Sequence, residues 1–479
     1  MENFVEDAEY KLQIFPQPKI RNKATLKNVN QYVSEGNFTF PEGAVVFSKD
    51  KCSTFYSVGG GSHKSTRTWS QGESVTKITL EPDKEYDKKW YKAEFRKLNY
   101  AKRSSNINSL HGASGVTLEC SNTKLKGFMF GGKFISGNSL SGLLSNEICT
   151  FQLKGQTLKG QTIEARILTK DDMHGDVPPK LYGCRLDLIK INSGVLARKK
   201  GSAILTGGIT QPHSDADILS GKNIYTEECS NGVWLLEFDL DMTSFTWVKL
   251  SSLPYGLSFH LSTIISGNLF ILGGLSVKDG VSSRIKTVLS INVNTWTETE
   301  NTCKILRCQD TIFQGLSAGF LLNINDKRIL FYGGYLDDVL PQREKNKQSN
   351  ILGEIAFNDD GETFQLKSRL LSVSAAFPFL HRLDEKTLYI SMSTKHCHGL
   401  ITKLPPKPIS CHLGDNCLVT NNLTKYLSVC HLFLFCDGKC HRLIHATCLG
   451  FTESHFKKLQ QSSDKFFCKR SECSKKQIE

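Results

Sequence analysis

The sequence predicts a mainly β protein, a long array of small repeated sheets followed by a short metal-stapled domain. Three observations lead there. Short apolar runs ending in a glycine pair recur along most of the chain. Alternating segments that end near a tryptophan follow several of them. Eight of the sixteen cysteines lie between Cys411 and Cys473.

The apolar runs are residues 55–61 (FYSVGGG), 128–132 (FMFGG), 203–208 (AILTGG), 269–274 (LFILGG) and 329–334 (ILFYGG). Their first glycines stand at 59, 131, 207, 273 and 333, in steps of 72, 76, 66 and 60 residues. A sixth run, 388–392 (LYISM), lacks the glycines. Residues 234–247 and 288–296 alternate apolar and polar and end at Trp247 and Trp296, and 78–90 is a looser copy. Period-two alternation, a turn and an aromatic describe neighbouring strands of one small sheet. A four-stranded unit with a glycine pair and a tryptophan is the signature of a kelch-type β-propeller. One such sheet cannot bury both of its faces, whereas sheets stacked in a ring bury each face on a neighbour. Six runs predict six blades, with long connections because the steps exceed roughly 50 residues. Residues 1–40 hold no glycine pair, and a strand near 12–15 (LQIF) is expected to close the ring against the last blade.

Composition sets the remaining bounds. Of 479 residues, 39% are hydrophobic and 22% charged, which suits a chain with a sizeable core. No apolar run approaches the roughly 18 residues of a membrane helix. The start also lacks the basic-then-apolar order of a secretory leader, so neither a membrane nor a secreted protein is expected. The net charge is +13, and residues 401–479 carry 12 Lys and Arg against 6 Asp and Glu. Such an excess favours a polyanionic partner, although solubility alone also accounts for it. Basic pairs recur at Lys64 and Arg67, Lys88 and Lys89, Arg96 and Lys97, Lys102 and Arg103, and at 198–200. Each is able to meet phosphate. A solvated loop charge is the simpler reading of any single one, and 198–200 reads equally as a hairpin turn. The eight scattered cysteines show no pairing-like spacing and suit a reducing compartment.

The clustered cysteines carry the clearest chemistry. Their order is Cys411-x5-Cys417, then Cys436-x3-Cys440-x4-His445-x2-Cys448, then Cys468-x4-Cys473. Seven thiolates and one imidazole are eight ligands, enough for two tetrahedral zinc ions. A segment this short, with few apolar positions, needs such staples. His412, Cys430, His431 and His441 are alternative ligands, which leaves the outer positions less fixed than the inner four. Elsewhere the sequence shows no nucleophile motif, phosphate loop or paired-carboxylate arrangement. His260 reads as a core or turn residue rather than a catalytic one.

The ligand order resembles a PHD finger. That resemblance implies interleaved sites, Cys411, Cys417, His445 and Cys448 holding one ion and Cys436, Cys440, Cys468 and Cys473 the other. Phe466 falls on the family's packing position. A RING finger would want a further Cys-x2-Cys soon after Cys448. The first and last pairs are wider than is usual for a PHD finger.

Residues 175–183 (GDVPPKLYG), 256–260 (GLSFH) and 269–274 (LFILGG), with the repeats and the finger, resemble the recombination-activating protein two family. This is the accessory subunit of the V(D)J recombinase, together with its invertebrate, transposon-linked relatives. The resemblance covers roughly 40–473. It implies a nuclear, non-catalytic subunit in a hetero-oligomer with a transposase-like recombinase. It also implies flanking-DNA contacts, with Lys64 and Arg67 roughly matching a basic loop used near DNA. The finger of that family binds the methylated histone H3 tail through an aromatic cage. Here Phe433, Phe435 and Leu443 occupy cage positions, and Leu443 replaces a tryptophan, which points to a weaker or altered reader. The two phenylalanines are equally read as core. The family's vertebrate acidic hinge is absent, since residues 393–410 contain no Asp or Glu. The expected organisation is a propeller over 1–395, a basic proline-containing linker over 396–410 and the finger over 411–479. The competing reading is a kelch substrate adaptor whose finger recruits ubiquitin machinery. It would want a RING ligand order or an N-terminal helical dimerisation domain, and the sequence shows neither.

Overall fold

The computed structural model describes residues 10–14, most of 43–403 with breaks (the longest 211–227), and the short strands at 433–435 and 443–445. Among these residues the chain is mainly β, and no helix is long and apolar enough to cross a membrane. Contacts divide it into a large unit ending at Lys403 and a second unit that contains Leu404–Glu479.

The large unit consists of four-stranded antiparallel sheets in chain order. The first runs from Val45–Phe47 through Thr54–Val58 and Val75–Pro82 to Tyr91–Tyr100. The second comprises Ser114–Cys120, Leu125–Phe130, Ile148–Thr157 and Gly160–Ile167. The third comprises Arg185–Asn192, Lys200–Thr206, Val233–Asp239 and Phe245–Leu250. The fourth comprises Leu261–Ile265, Asn268–Leu272, Val288–Asn292 and Lys304–Cys308. The fifth comprises Phe320–Asn325, Arg328–Tyr332, Ile351–Phe357 and Thr363–Leu370.

The sixth sheet is made of both ends of the unit. Phe379–Arg382, Thr387–Met392 and Cys397–Lys403 are joined by Tyr10–Ile14, with Leu12 opposite Ile401. The early strand therefore closes the last sheet, two residues earlier than the sequence reading placed it. Residues 397–403, within the stretch read as a linker, are the strand that receives it, so the sheet extends to Lys403.

Each second strand is buried on both sides, and this is why it reads as a continuous apolar run. Successive side chains point to opposite faces, so each run feeds two cores. From Thr54–Val58, Phe55 packs with Phe379 and Tyr389 of the sixth sheet, while Tyr56 and Val58 pack with Met129 and Phe151 of the second. From Asn268–Leu272, Leu269 and Ile271 join the third sheet, and Phe270 and Leu272 join Ile329 and Phe331 of the fifth. Phe128, Phe130, Phe238, Phe245 and Trp247 fill the space between the second and third sheets. Trp296 closes the core between the third and fourth, and its indole N–H donates to Ser251.

The ring shuts between the sixth and first sheets. Arg382 forms a two-pronged pair with Asp50 and donates to the Ile324 carbonyl at 3.0 Å. The Lys51 amide donates to the Arg382 carbonyl at 2.9 Å. Neighbouring sheets also join at their outer strands, where Ile163 pairs in parallel with Tyr100 and Cys308 with Phe364.

The glycine pairs have one recurring duty. Gly273 and Gly274 have φ of +57° and +103°. The Gly274 amide donates to the Leu316 carbonyl at 2.8 Å, and a Cβ on Gly273 would lie 2.2 Å from that same oxygen. The same bond joins Gly60 to Leu110, Gly132 to Leu181, Gly208 to Leu257 and Gly334 to Ala375. Gly273→Ala combines a left-handed φ with a backbone collision and is expected to cost at least about 2 kcal/mol. Chemical denaturation measures it, and a loss below about 0.5 kcal/mol would contradict this role.

Candidate functional site

Six residues stand just before the innermost strands of the six sheets: Gly43, Gly112, Gly183, Phe259, Ala318 and Phe377. All six have left-handed φ, between +45° and +69°. Backbone bonds string them together: Gly112 N–H to the Gly43 carbonyl, Gly183 to Gly112, Phe259 to Gly183, Ala318 to Phe259 and Phe377 to Ala318, at 2.7 to 3.0 Å. They form a collar at one end of a central cavity. Three of the six are not glycine, and a side chain in this region costs roughly 1–2 kcal/mol.

Aromatic rings fill the collar. His111 lies 5.7 Å from Tyr182 and 5.4 Å from Phe377, and Phe259 lies 4.9 Å from Tyr182 and 5.6 Å from Phe377. The glycines make room for them. A Cβ on Gly112 would lie 2.5 Å from the Tyr182 ring, and one on Gly183 would lie 2.8 Å from Phe259. Tyr182 shares a 3.0 Å hydrogen bond with His111 Nδ1, and Lys133 sits 5.5 Å over its ring. Burial, with the Lys133 charge adding to it, holds the His111 imidazole down at about 4.

The cavity beyond the collar has a volume of about 290 Å³ and is walled by the innermost strands. Its charged groups come from one strand of the third sheet. Arg185 donates from Nε to the His260 carbonyl at 2.8 Å and from Nη2 to the Gly319 carbonyl at 3.2 Å. Asp187 accepts from the Ser262 hydroxyl at 2.5 Å. Burial pushes the Asp187 carboxyl up, opposed by the Ser262 bond and the Arg185 charge. The sequence reading named none of these three. The available signal was a pair of opposite charges at alternate positions, 185 and 187, opening an apolar strand.

His260 is fully buried, with Nε2 2.8 Å from the Thr206 hydroxyl and Nδ1 without a hydrogen-bond partner among the described residues. It is a core residue, as the sequence implied. Burial and the Arg185 charge hold it down at about 3.

Of the residues read as DNA contacts, Lys64 and Arg67 lie outside the described residues, in the segment joining the hairpin strands Gly61–His63 and Trp69–Gln71. Of the expected zinc ligands, Cys411, Cys417, Cys436, Cys440, Cys448, Cys468 and Cys473 also lie outside them. The exception is His445, on the strand Leu443–His445, which pairs antiparallel with Phe433–Phe435. Phe433 stands opposite His445 and Phe435 opposite Leu443. One hairpin thus brings together the three expected cage positions and one expected ligand.

The architecture is a repeat-built β ring with a second, C-terminal unit. The family model for Recombination activating protein 2 matches residues 89–358, more than half of the chain. The chain belongs to that family. Among solved structures, a chain of RAG in complex with one melted and one unmelted RSS, studied by cryo-EM, matches with 16% identity and a TM-score of 0.49. That match covers 77% of this chain and 97% of its own. The structure of YjhT matches with 15% identity and a TM-score of 0.46, over 77% and 98%.

Two expectations follow. A histidine buried neutral protonates first in the unfolded chain, near 6.5, so stability declines as pH falls from about 6.5 toward the folded values. His111 and His381 shift in the same direction as His260. Thermal melting between pH 7 and 4 should reveal a loss on the order of a few kcal/mol, and His260→Gln should flatten the slope. A pH-independent melt would refute this. In the collar, Gly183→Ala should destabilise, whereas Ala318→Gly, which relieves a strained φ, should be neutral or stabilising. The opposite ranking in denaturant titrations would contradict the collar analysis.

Proposed function

We propose that this chain is the non-catalytic accessory subunit of a recombination-activating-type DNA recombinase or transposase. The family match over residues 89–358 carries the proposal. In this reading the ring is a six-bladed kelch-type β-propeller that docks a catalytic, transposase-like partner in the nucleus. It supports DNA flanking the cut through basic positions such as Lys64 and Arg67. Phosphate contacts of that kind need charge and reach without base reading. The residues that resemble the family, around 181–183 and 257–260, serve the collar and the bonds between sheets. That use suits a scaffold.

The C-terminal unit is a PHD-type finger with two zinc ions in this proposal. The donor set fits, since seven thiolates and one imidazole satisfy two closed tetrahedral sites. The hairpin supports the interleaved assignment. Cys436 and Cys440 lie in its connecting segment, whereas His445 and Cys448 lie on and after its return strand. When bound, zinc supplies structural cross-links and no reaction step. Paired residues and residues two apart share a face of a ribbon, so positions 433, 435, 443 and 445 do so. With Leu443 in place of a third aromatic, this face would bind a methylated histone H3 tail weakly.

Co-purification with a candidate catalytic partner, followed by cleavage assays with and without this chain, tests the main proposal. Cleavage should rise by at least about tenfold with the chain present, and unchanged cleavage would remove it. Metal analysis of the full chain should find two zinc ions. Chelation should unfold the C-terminal unit and leave the melting of the ring unchanged. Titration with H3 peptides should show a methylation preference that Phe435→Ala abolishes, and equal binding of methylated and plain peptides would discard the reader.

A further inference from the structure

The central cavity holds a cation whose hydrogen-bond donors the ring only partly uses. Arg185 is anchored by two carbonyls, His260 and Gly319, which are neutral acceptors. Among the described residues it makes no ion pair. A guanidinium has five N–H donors, and these two bonds leave three unspent. Arg185 and Asp187 are only half-buried, although core strands surround them, so their accessible atoms face the cavity they line. Asp187 stands two residues along the same strand, on the same face. One of its oxygens is occupied by Ser262. The opposite charges therefore share one cavity without touching.

The collar adds a second, independent observation. Phe259 and Phe377 hold φ of +50° and +45°, which bulky residues rarely adopt. Both line this cavity. Strain kept in a sequence clusters at binding and switch sites. The rings wall one end of the cavity with apolar surface, and this strengthens polar interactions inside it. A cavity of about 290 Å³ has room for a small metabolite.

We propose that the central cavity binds a small hydroxy- or aminocarboxylate, its carboxylate on the free edge of Arg185 and its hydroxyl or ammonium on Asp187. A carboxylate accepts two parallel N–H bonds from a guanidinium. A donor on the neighbouring carbon spans toward the aspartate. Such a ligand takes up the open donors of Arg185 and the open oxygen of Asp187, and rigidifies the hub where the sheets meet. A bare anion gains Arg185 but is repelled by Asp187, and a bare cation meets the reverse.

Calorimetry and thermal melting of the full chain in low-chloride buffer test this with four probes: L-lactate, L-serine, propionate and inorganic phosphate. L-lactate or L-serine should bind saturably and raise the melting temperature, with propionate at least about tenfold weaker and phosphate weaker still. Arg185→Lys should weaken every probe. Should Arg185→Lys fail to fold, Asp187→Asn gives a separate readout, because it should remove the preference of L-serine over propionate. Absence of binding by L-lactate and L-serine up to about 10 mM, equal binding of propionate, preference for phosphate, or an Asp187→Asn profile identical to wild type would each overturn the proposal.

Discussion

The bond on which the ring depends is a single backbone contact repeated from sheet to sheet. The amide of the second glycine in each pair donates to the carbonyl of the segment entering the next sheet. Gly131 shows why the first residue of the pair must also lack a side chain: its Cβ would come within 2.7 Å of the Leu181 oxygen that Gly132 uses. Hydrophobic burial between sheets supplies most of the stabilisation but is indifferent to small rotations. The directional bond fixes the angle at which each sheet meets its neighbour, and five such angles determine whether the sixth sheet meets the first.

The collar repeats that logic nearer the axis. A glycine at 43, 112 or 183 opens space, and a ring from the following sheet occupies it, His111 over Gly43, Tyr182 over Gly112 and Phe259 over Gly183. The fourth, fifth and sixth sheets keep the conformation without the glycine, so there the chain bears the strain. The ring is thus two halves in conformational cost. The unglycinated half contributes the collar rings Phe259 and Phe377.

How much of this was readable in advance depended on whether physics demanded a residue type. The glycine pairs were visible because only glycine meets both the torsion and the contact. Runs such as LFIL at 269–272 were visible because burial on both faces forbids polar interruption. Ala318 and Phe377 gave no signal, since their torsion is imposed by the ring against local preference. Arg185 and Asp187 were hidden for a related reason: alternate charges in a strand ordinarily mark a solvated face, and here that face looks into a cavity. The strand at 397–403 resembled a linker because its sequence, CHGLITK, is basic and weakly alternating. One of its two partners, Tyr10–Ile14, is nearly four hundred residues away, outside any local window. The expected zinc ligands stand out by spacing alone, and of the eight only His445 falls among the described residues.

The seam of the ring has a consequence for biosynthesis. Tyr10–Ile14 leaves the ribosome first, yet its pairing partner, Cys397–Lys403, emerges after five complete sheets have been made. Until then the opening segment is an unmatched edge, and the first sheet's face toward Phe379 and Tyr389 is bare. Closure is therefore a late, all-or-nothing event with a very large loop to organise. A nascent chain of this architecture is most exposed to aggregation and to chaperone capture just before its last strand appears.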